Sequence, residues 1–561
     1  MLEAADDLRF LGPRLLRRGR EGANGRSAET LGWWPGMWDG MKLPRFGEVT
    51  RQRTPRDGVR SPGATADVCL IVEGAYPFVA GGVSSWMHDL ILAQSHLTFE
   101  LVVLSADDRP RESRFVLPPN VVRMSVVALQ RDERRVTSGP DAWRLAAEIE
   151  EALTRLFEGG GLAEFRELLT VVRDHDAGAT RAALLNSEAA FSLIERMYER
   201  SVAGSSFLNY FWSWRALAGG LFSVLLAPLP RAKVYHAIST GYAGIFMARA
   251  VLETGRPGLL TEHGIYTNER RVEIAMADWL GDELPDSLEL EGRPLGLRDV
   301  WINAFTGYAR TCYEACSRIT TLYAGNQVLQ VRDGAPADRL VIIPNGVDYD
   351  GFSCLVQDPT PRAPTVALIG RVVPIKDVKT YIRAAALLRE IVPDVRALIL
   401  GPTEEDPGYV EECREMVAHL GLERTVEFCG RVKLRDFLGK IDAIALTSIS
   451  EAQPLVLLEA GAAGVPSVAT DVGSCREILL GRADEDPAFG PGGFVTPLSN
   501  PLATAQGLAS LLLDGDLRRA CGEAIRRRTE RYYNKRFVDG LYGDLYAEHL
   551  TMADAPAVPG G

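Results

Sequence analysis

Two acids, Glu451 and Glu459, close the two ends of the string Glu-Ala-Gln-Pro-Leu-Val-Leu-Leu-Glu, and the small-residue run from Ala460 to Pro466 follows it. A carboxylate can accept hydrogen bonds from two adjacent hydroxyls, so acids placed this way suit sugar recognition. Pro454 fits the first turn of a helix, which puts Glu451 in the preceding loop and Glu459 about one turn in. Both acids can then face one cleft, and the helix N-terminus beside them can hold a phosphate. The spacing alone says little. The whole string, set after the apolar run Ala443–Leu446, is specific.

Upstream, Gly370-Arg371-Val372-Val373-Pro374-Ile375-Lys376 directly follows another apolar run, 366–369. A guanidinium offers a planar fork and an ammonium a compact charge, a pairing suited to a diphosphate, although an isolated basic pair is as readily just solvated. In the first half of the chain, Gly81-Gly82-Val83 follows the run 68–72 and precedes a helix expected from about Ser84. Glycines there let backbone N–H groups come close to a ligand, but neither dinucleotide nor Walker pattern is present and a lone Gly-Gly also reads as a turn. Thr261-Glu262-His263-Gly264 ends a further strand, so His263 falls at a sheet edge in either a substrate or a structural role.

These residues need strands to carry them. Short continuous apolar runs, the mark of buried parallel strands, occur at 68–72, 101–104, 234–238, 259–261, 319–322 and 340–343. A second series occupies 366–369, 397–400, 426–428, 443–446 and 467–469. Alternation with helical stretches predicts an α/β protein of two doubly wound Rossmann-like domains facing across a cleft, with ligands at the strand C-terminal edges. The expected division is a tail at 1–66 without sustained periodicity, which reads as disordered, and a first domain at 67–345 with a helical insertion at about 130–230. A second domain at 346–530 and a C-terminal helix at 531–550 packing back across both complete it. Met41 is an alternative start, which would make part of the tail non-native.

Together the motifs resemble the retaining GT-B glycosyltransferases of family 4, over residues 67–546. The strings Glu73-Gly74-Ala75-Tyr76-Pro77, Gly81 to Trp86 and Thr261 to Thr267, with the long helical insertion, are more narrowly similar to the PelF-like enzymes of Pel exopolysaccharide synthesis. The resemblance implies that Arg371 and Lys376 bind a donor diphosphate, helped by backbone at Gly81 and Gly82 and at Pro454 and Leu455. It implies that Glu459 holds the ribose and that Glu451 and His263 lie beside the transferred hexose. It further implies a nucleotide-sugar donor, UDP-glucose, used as substrate with no separate cofactor. The acceptor would be a growing polysaccharide or a lipid-linked primer, on a cytoplasmic enzyme peripheral to the inner membrane through synthase-complex proteins. Another family-4 transferase, a nucleotide-sugar epimerase or a non-catalytic nucleotide-binding scaffold are the alternatives. Val472-Gly473-Ser474 departs from the Gly-Gly pair of many relatives.

Composition narrows the field. The 561 residues are 46% hydrophobic and 24% charged, with 62 Lys and Arg against 74 Asp and Glu for a formal charge of −12. That balance argues against a broad nucleic-acid track, which needs clustered cations to displace phosphate counterions. Residues 1–66 hold 12 basic and 8 acidic residues, so the excess acid belongs to the folded body. Eight scattered cysteines show no zinc spacing and fit a reduced compartment, with Cys312 and Cys316 reading as one apolar helix face. No secretory signal is expected at the N-terminus, and no metal role is expected for the pairs Asp348/Asp350, Asp484/Asp486 and Asp514/Asp516, none of which follows a strand. The aromatic run from Phe207 to Trp214 is expected to form a buried or membrane-adjacent helix that could line the acceptor path.

Overall fold

Seven strands of the first half of the chain pair side by side, all parallel: β1 Ala66–Glu73, β2 Phe99–Ser105, β3 Val121–Ala128, β4 Ala232–Ala237, β5 Gly258–Glu262, β6 Arg318–Thr321 and β7 Leu340–Ile342. Their order, β3-β2-β1-β4-β5-β6-β7, reverses direction between β1 and β4. Such a switch point opens a crevice at the strand C-terminal ends. A second parallel sheet, in the order β10-β9-β8-β11-β12-β13, holds β8 Thr365–Ile369, β9 Arg396–Leu400, β10 Val426–Gly430, β11 Ala443–Leu446, β12 Ser467–Thr470 and β13 Gly493–Thr496. The structure is a computed structural model that describes residues 65–554 apart from 110, 131–135, 176–179, 203, 276–294, 356–359 and 361. All but the last two residues of the expected tail lie outside these.

Every residue of β2 is buried, because helices cover both faces of the sheet. The edge strand β3 alternates instead: Val122, Met124 and Val126 face solvent. That pattern is why β3 does not read as a buried run, and the short β13, with its two interior residues half-buried, is missed likewise.

Between β3 and β4 stand the helices Pro140–Phe157, Leu162–Asp174, Arg181–Leu185, Glu188–Ser201 and Phe207–Leu226. In the last of these, Tyr210, Trp214, Leu217, Leu221 and Phe222 are buried in the first domain's core. Arg215, half-buried, donates to Asn186 Oδ1 at 2.8 Å. Phe207 and Phe211 pack against Phe191. The helix is thus mostly core, with Asn209 and Trp212 exposed near its start. No described helix is long and apolar enough to cross a membrane. Cys312 and Cys316 are both buried, their sulfurs 4.0 Å apart on one helix face.

The C-terminal helical stretch is two helices rather than one. Gly515–Tyr532 packs in the second domain, anchored by fully buried Arg528, which donates to both carboxylate oxygens of Glu485 at 2.5 and 2.8 Å and to the Gly490 carbonyl at 2.6 Å. Lys535–Asp554 instead lays Val538, Tyr542, Leu545 and Tyr546 against β1 and β2. The break between them is held by the interdomain linker: Val347 N–H donates to the Tyr533 carbonyl at 2.8 Å and Lys535 N–H to the Val347 carbonyl at 2.9 Å. A side chain at Gly346 would meet Lys535 Cα at 2.6 Å, so glycine is required for this close approach.

Candidate functional site

The second-domain site is assembled on the C-terminal ends of β8 and β11. Beyond β8 the chain makes the short turn Pro374–Lys376, and Lys376 Nζ donates to Glu451 Oε1 at 2.5 Å. Ser448 Oγ donates to the same oxygen at 2.6 Å. Pro454 precedes the helix Leu455–Ala462, whose N-terminus carries no side-chain cap, the Leu457 N–H donating to the Pro454 carbonyl at 3.1 Å. Leu455 is exposed at this end and Glu459 is half-buried one turn on. Burial pushes the Glu459 carboxyl above its ordinary value, opposed by Arg435. Gly473, at φ +54°, comes so close to this loop that a Cβ would sit 2.3 Å from the Glu451 carbonyl. Ser474 N–H donates to the Ala452 carbonyl at 2.9 Å. Val472-Gly473-Ser474 therefore holds up the Glu451 loop from below. Arg371 is paired with Glu405 at 2.5 Å.

Across the seam, Gly81 and Gly82 are exposed and open the helix Gly82–Ala93. A Cβ at either position would meet nothing within 4 Å, so protein packing does not demand glycine there and the space in front is open. His263 follows β5, its ring edge-on to Trp86 with centroids 4.5 Å apart. Both its ring nitrogens are buried, and the Asn345 side chain hydrogen-bonds to the ring. Burial lowers its pKa to about 4, the Asn345 side chain pulling weakly the other way, so the ring is neutral near pH 7.

Residues 357–528 match the family model described as Glycosyl transferases group 1. The second domain is similar to that family. Residues 66–338 match a second model, described as a domain of unknown function (DUF3492). A D-inositol 3-phosphate glycosyltransferase from Xylanimonas cellulosilytica is 28% identical over 302 residues, 51% of this chain and 66% of that protein, so the chain spans just under two thirds of its length. Among solved structures, a glycosyltransferase from Rickettsia africae and the sucrose-phosphate synthase of Thermosynechococcus elongatus each superpose with a TM-score of 0.51 at 15% identity, covering 86% of this chain and 99% of theirs. With the two parallel sheets these likenesses give the GT-B fold.

Two polar residues at strand ends of the first domain were not singled out from sequence. Glu73 closes β1 and accepts from the Tyr242 N–H at 3.3 Å and the Tyr266 hydroxyl at 3.4 Å; burial pushes its carboxyl up to about 7, against the pull of Arg270. Glu262, beside His263, accepts from the Tyr313 hydroxyl at 2.8 Å and Gln330 Nε2 at 2.9 Å, and burial raises it to about 7 as well. An acid ending an apolar parallel strand, the same address that marked His263, is the signal that would have found both. Among the described residues, two hydrogen bonds cross between the domains: Asn345 N–H donates to Gln453 Oε1 at 2.6 Å, and Ala324 N–H, at the start of helix Ala324–Arg332, donates to Glu477 Oε1 at 3.1 Å.

The Asp-x-Asp pairs have local work. Asp348 and Asp514 cap helices, Asp350 pairs with Arg536 at 2.7 Å and Asp484 with Arg482 at 2.7 Å.

Proposed function

We propose that the chain is a retaining hexosyltransferase that moves glucose from UDP-glucose to a growing exopolysaccharide, in the manner of the PelF-like enzymes it resembles. The observation that carries the transferase part is the Lys376–Glu451 pair beside the uncapped start of helix Leu455–Ala462. A cation is paired with Glu451 on the loop that leads into an uncapped helix N-terminus, which adds about half a positive charge. A donor diphosphate suits that point. Breaking the anomeric bond places negative charge on the leaving diphosphate, and preorganised donors stabilise it most where water is excluded. Arg371 exchanges Glu405 for phosphate when donor binds, and Glu459 accepts from the ribose hydroxyls.

Glu451 is bound by two donors on one oxygen, which suits a carboxylate that orients a sugar hydroxyl better than one that attacks carbon. Retention then proceeds by front-face attack, with the leaving phosphate taking the acceptor's proton. The donor base, the hexose, the exopolysaccharide acceptor and the association with membrane synthase proteins rest on the resemblance. Calorimetric titration with UDP, ADP, GDP and their glucose conjugates tests the reading: UDP and UDP-glucose bind, the others do not. Absence of any nucleotide binding favours the scaffold alternative, and a stable glycosyl adduct on Glu451 would sink the front-face route.

A further inference from the structure

Among the described residues other than glycine, Asp377 and Ser499 are the two with positive φ, at +43° and +49°. The left-handed region crowds a Cβ against the following carbonyl, and such backbone persists only where its surroundings enforce it. The two are also joined to each other, Ser499 Oγ donating to Asp377 Oδ2 at 3.0 Å. Helix capping does not account for the conformation. Asp377 caps helix Val378–Ile391 by accepting from the Thr380 N–H at 3.2 Å. In every other described helix whose N-cap side chain accepts in this way, φ lies between −63° and −136°. What the left-handed residue does is end the turn Pro374–Lys376. A right-handed residue at 377 would run that turn straight on into the helix and give the Lys376 carbonyl to the Thr380 N–H. Instead the carbonyl oxygens of Lys376 and Asp377 both lie 3.0 Å from the Thr447 hydroxyl, which shares its one proton between them. Thr447 is buried and directly follows β11, and the Ile449 N–H donates to the Ile375 carbonyl at 2.8 Å. The turn is thereby fastened to the loop that carries Glu451, whose carboxylate accepts from Lys376 Nζ at 2.5 Å.

We propose that Asp377 is a positioning residue for Lys376: its left-handed backbone, braced by Ser499 and Thr447, sets the direction from which the ammonium reaches Glu451 and the donor diphosphate. The Asp377 carboxylate is itself spent on Thr380 and Ser499, so it acts through its neighbour. A lysine is a compact charge on a flexible four-carbon stem, and fixing its Cα removes part of the ordering that diphosphate binding would otherwise have to impose. This assignment rests on the transferase reading, in which Lys376 meets the diphosphate.

Calorimetric titration of UDP into the full chain and its variants tests the assignment. Asp377→Ala keeps a Cβ but loses the Ser499 contact and the tolerance of Asp for the left-handed region, and its affinity for UDP should fall about tenfold. Asp377→Gly enters that region without strain and Asp377→Asn tolerates it while still capping, so both should stay within about threefold of the unaltered chain. All three remove the same negative charge, so the comparison among them isolates the backbone. Thr447→Val leaves charge and cap in place, removes the fastening, and should resemble Asp377→Ala; it carries the same comparison if Asp377→Ala does not fold. In a Lys376→Ala background each loss should shrink to less than about twofold, because no ammonium is left to place. Losses that persist in that background mark a general structural role and overturn the assignment while leaving the transferase reading in place. Unchanged UDP affinity in Asp377→Ala, or a loss in Asp377→Gly as large as in Asp377→Ala, overturns it equally. If the unaltered chain binds no UDP, the transferase reading fails and the assignment with it.

Discussion

Replacing Lys376 by Ala tests the proposed site most directly. Its ammonium lies 2.5 Å from Glu451, with the two side chains 20% and 13% exposed, so the pair is shielded but still in contact with water. Removing the cation leaves the Glu451 carboxylate held by Ser448 alone and turns a neutral pair into a net negative charge where a diphosphate should bind. Loss of one preorganised group acting on developing charge costs about 2.7–4 kcal/mol, or 10²–10³ in turnover. The effect on folding is far smaller, about 1 kcal/mol, because partly wet ion pairs contribute little. A coupled assay of UDP release from UDP-glucose should therefore show kcat/KM down by 10²–10³ with a thermal midpoint lowered by only a few degrees. The double variant with Glu451→Ala should fall no further than the worse single one, because the two groups act as a unit. Additive losses, or Lys376→Ala within about threefold of the unaltered chain, would refute the site.

Arg528→Met breaks a pair whose side chains are 0% and 4% exposed and strands the Glu485 carboxylate, so it should destabilise the second domain by about 3–5 kcal/mol, read as a fall in urea midpoint. Glu262 has a folded pKa of about 7, above its unfolded value, so the folded chain favours the proton and stability from this group is lost as pH rises from about 4.5 through 7. Glu262→Gln, which keeps an acceptor for Tyr313 and Gln330, should thus be at least as stable as the unaltered chain at pH 8 and lose that advantage near pH 4.5. His236 behaves oppositely: fully buried between Tyr546 and Thr261 and lowered to about 3, it stays neutral when folded, so stability falls as pH drops from 6.5 toward 3, and His236→Gln should flatten that slope in chemical denaturation. Glu477→Ala removes the carboxylate from the Ala324 N–H; small-angle scattering should report a larger radius of gyration, and an unchanged profile would show that this contact does not hold the domains together.

Much of the architecture was legible because buried parallel strands are continuous apolar runs. Cys69 to Val72 and Ala443 to Leu446 could be read without any partner in view, since helices cover both faces of each sheet. The start of helix Leu455–Ala462 was legible for a local reason too, as Pro454 presets the backbone and forbids an earlier helical hydrogen bond. The edge strand β3 was not, because its one-sided exposure dilutes the apolar signal. Nor was the division of the C-terminal helices: the aromatic spacing from Tyr532 to Leu545 runs through the break, and only the pairing of Val347 with Tyr533 and Lys535 interrupts it.

The chain alone determined which segments become strands and helices and that Arg371, Lys376, Glu451, Glu459 and His263 fall at strand or helix ends, because periodicity, capping and chain breaks are properties of near neighbours. Tertiary structure decided which of them meet. Lys376, 75 residues from Glu451 in the chain, donates to its carboxylate, while Arg371 pairs with Glu405. It also set the protonation of Glu73, Glu262 and His263, because desolvation depends on atoms contributed by distant elements. Gln453 shows the division most clearly: an unremarked amide within a motif, it gains meaning only where Asn345 of the facing domain takes one end of it and leaves the other unpaired.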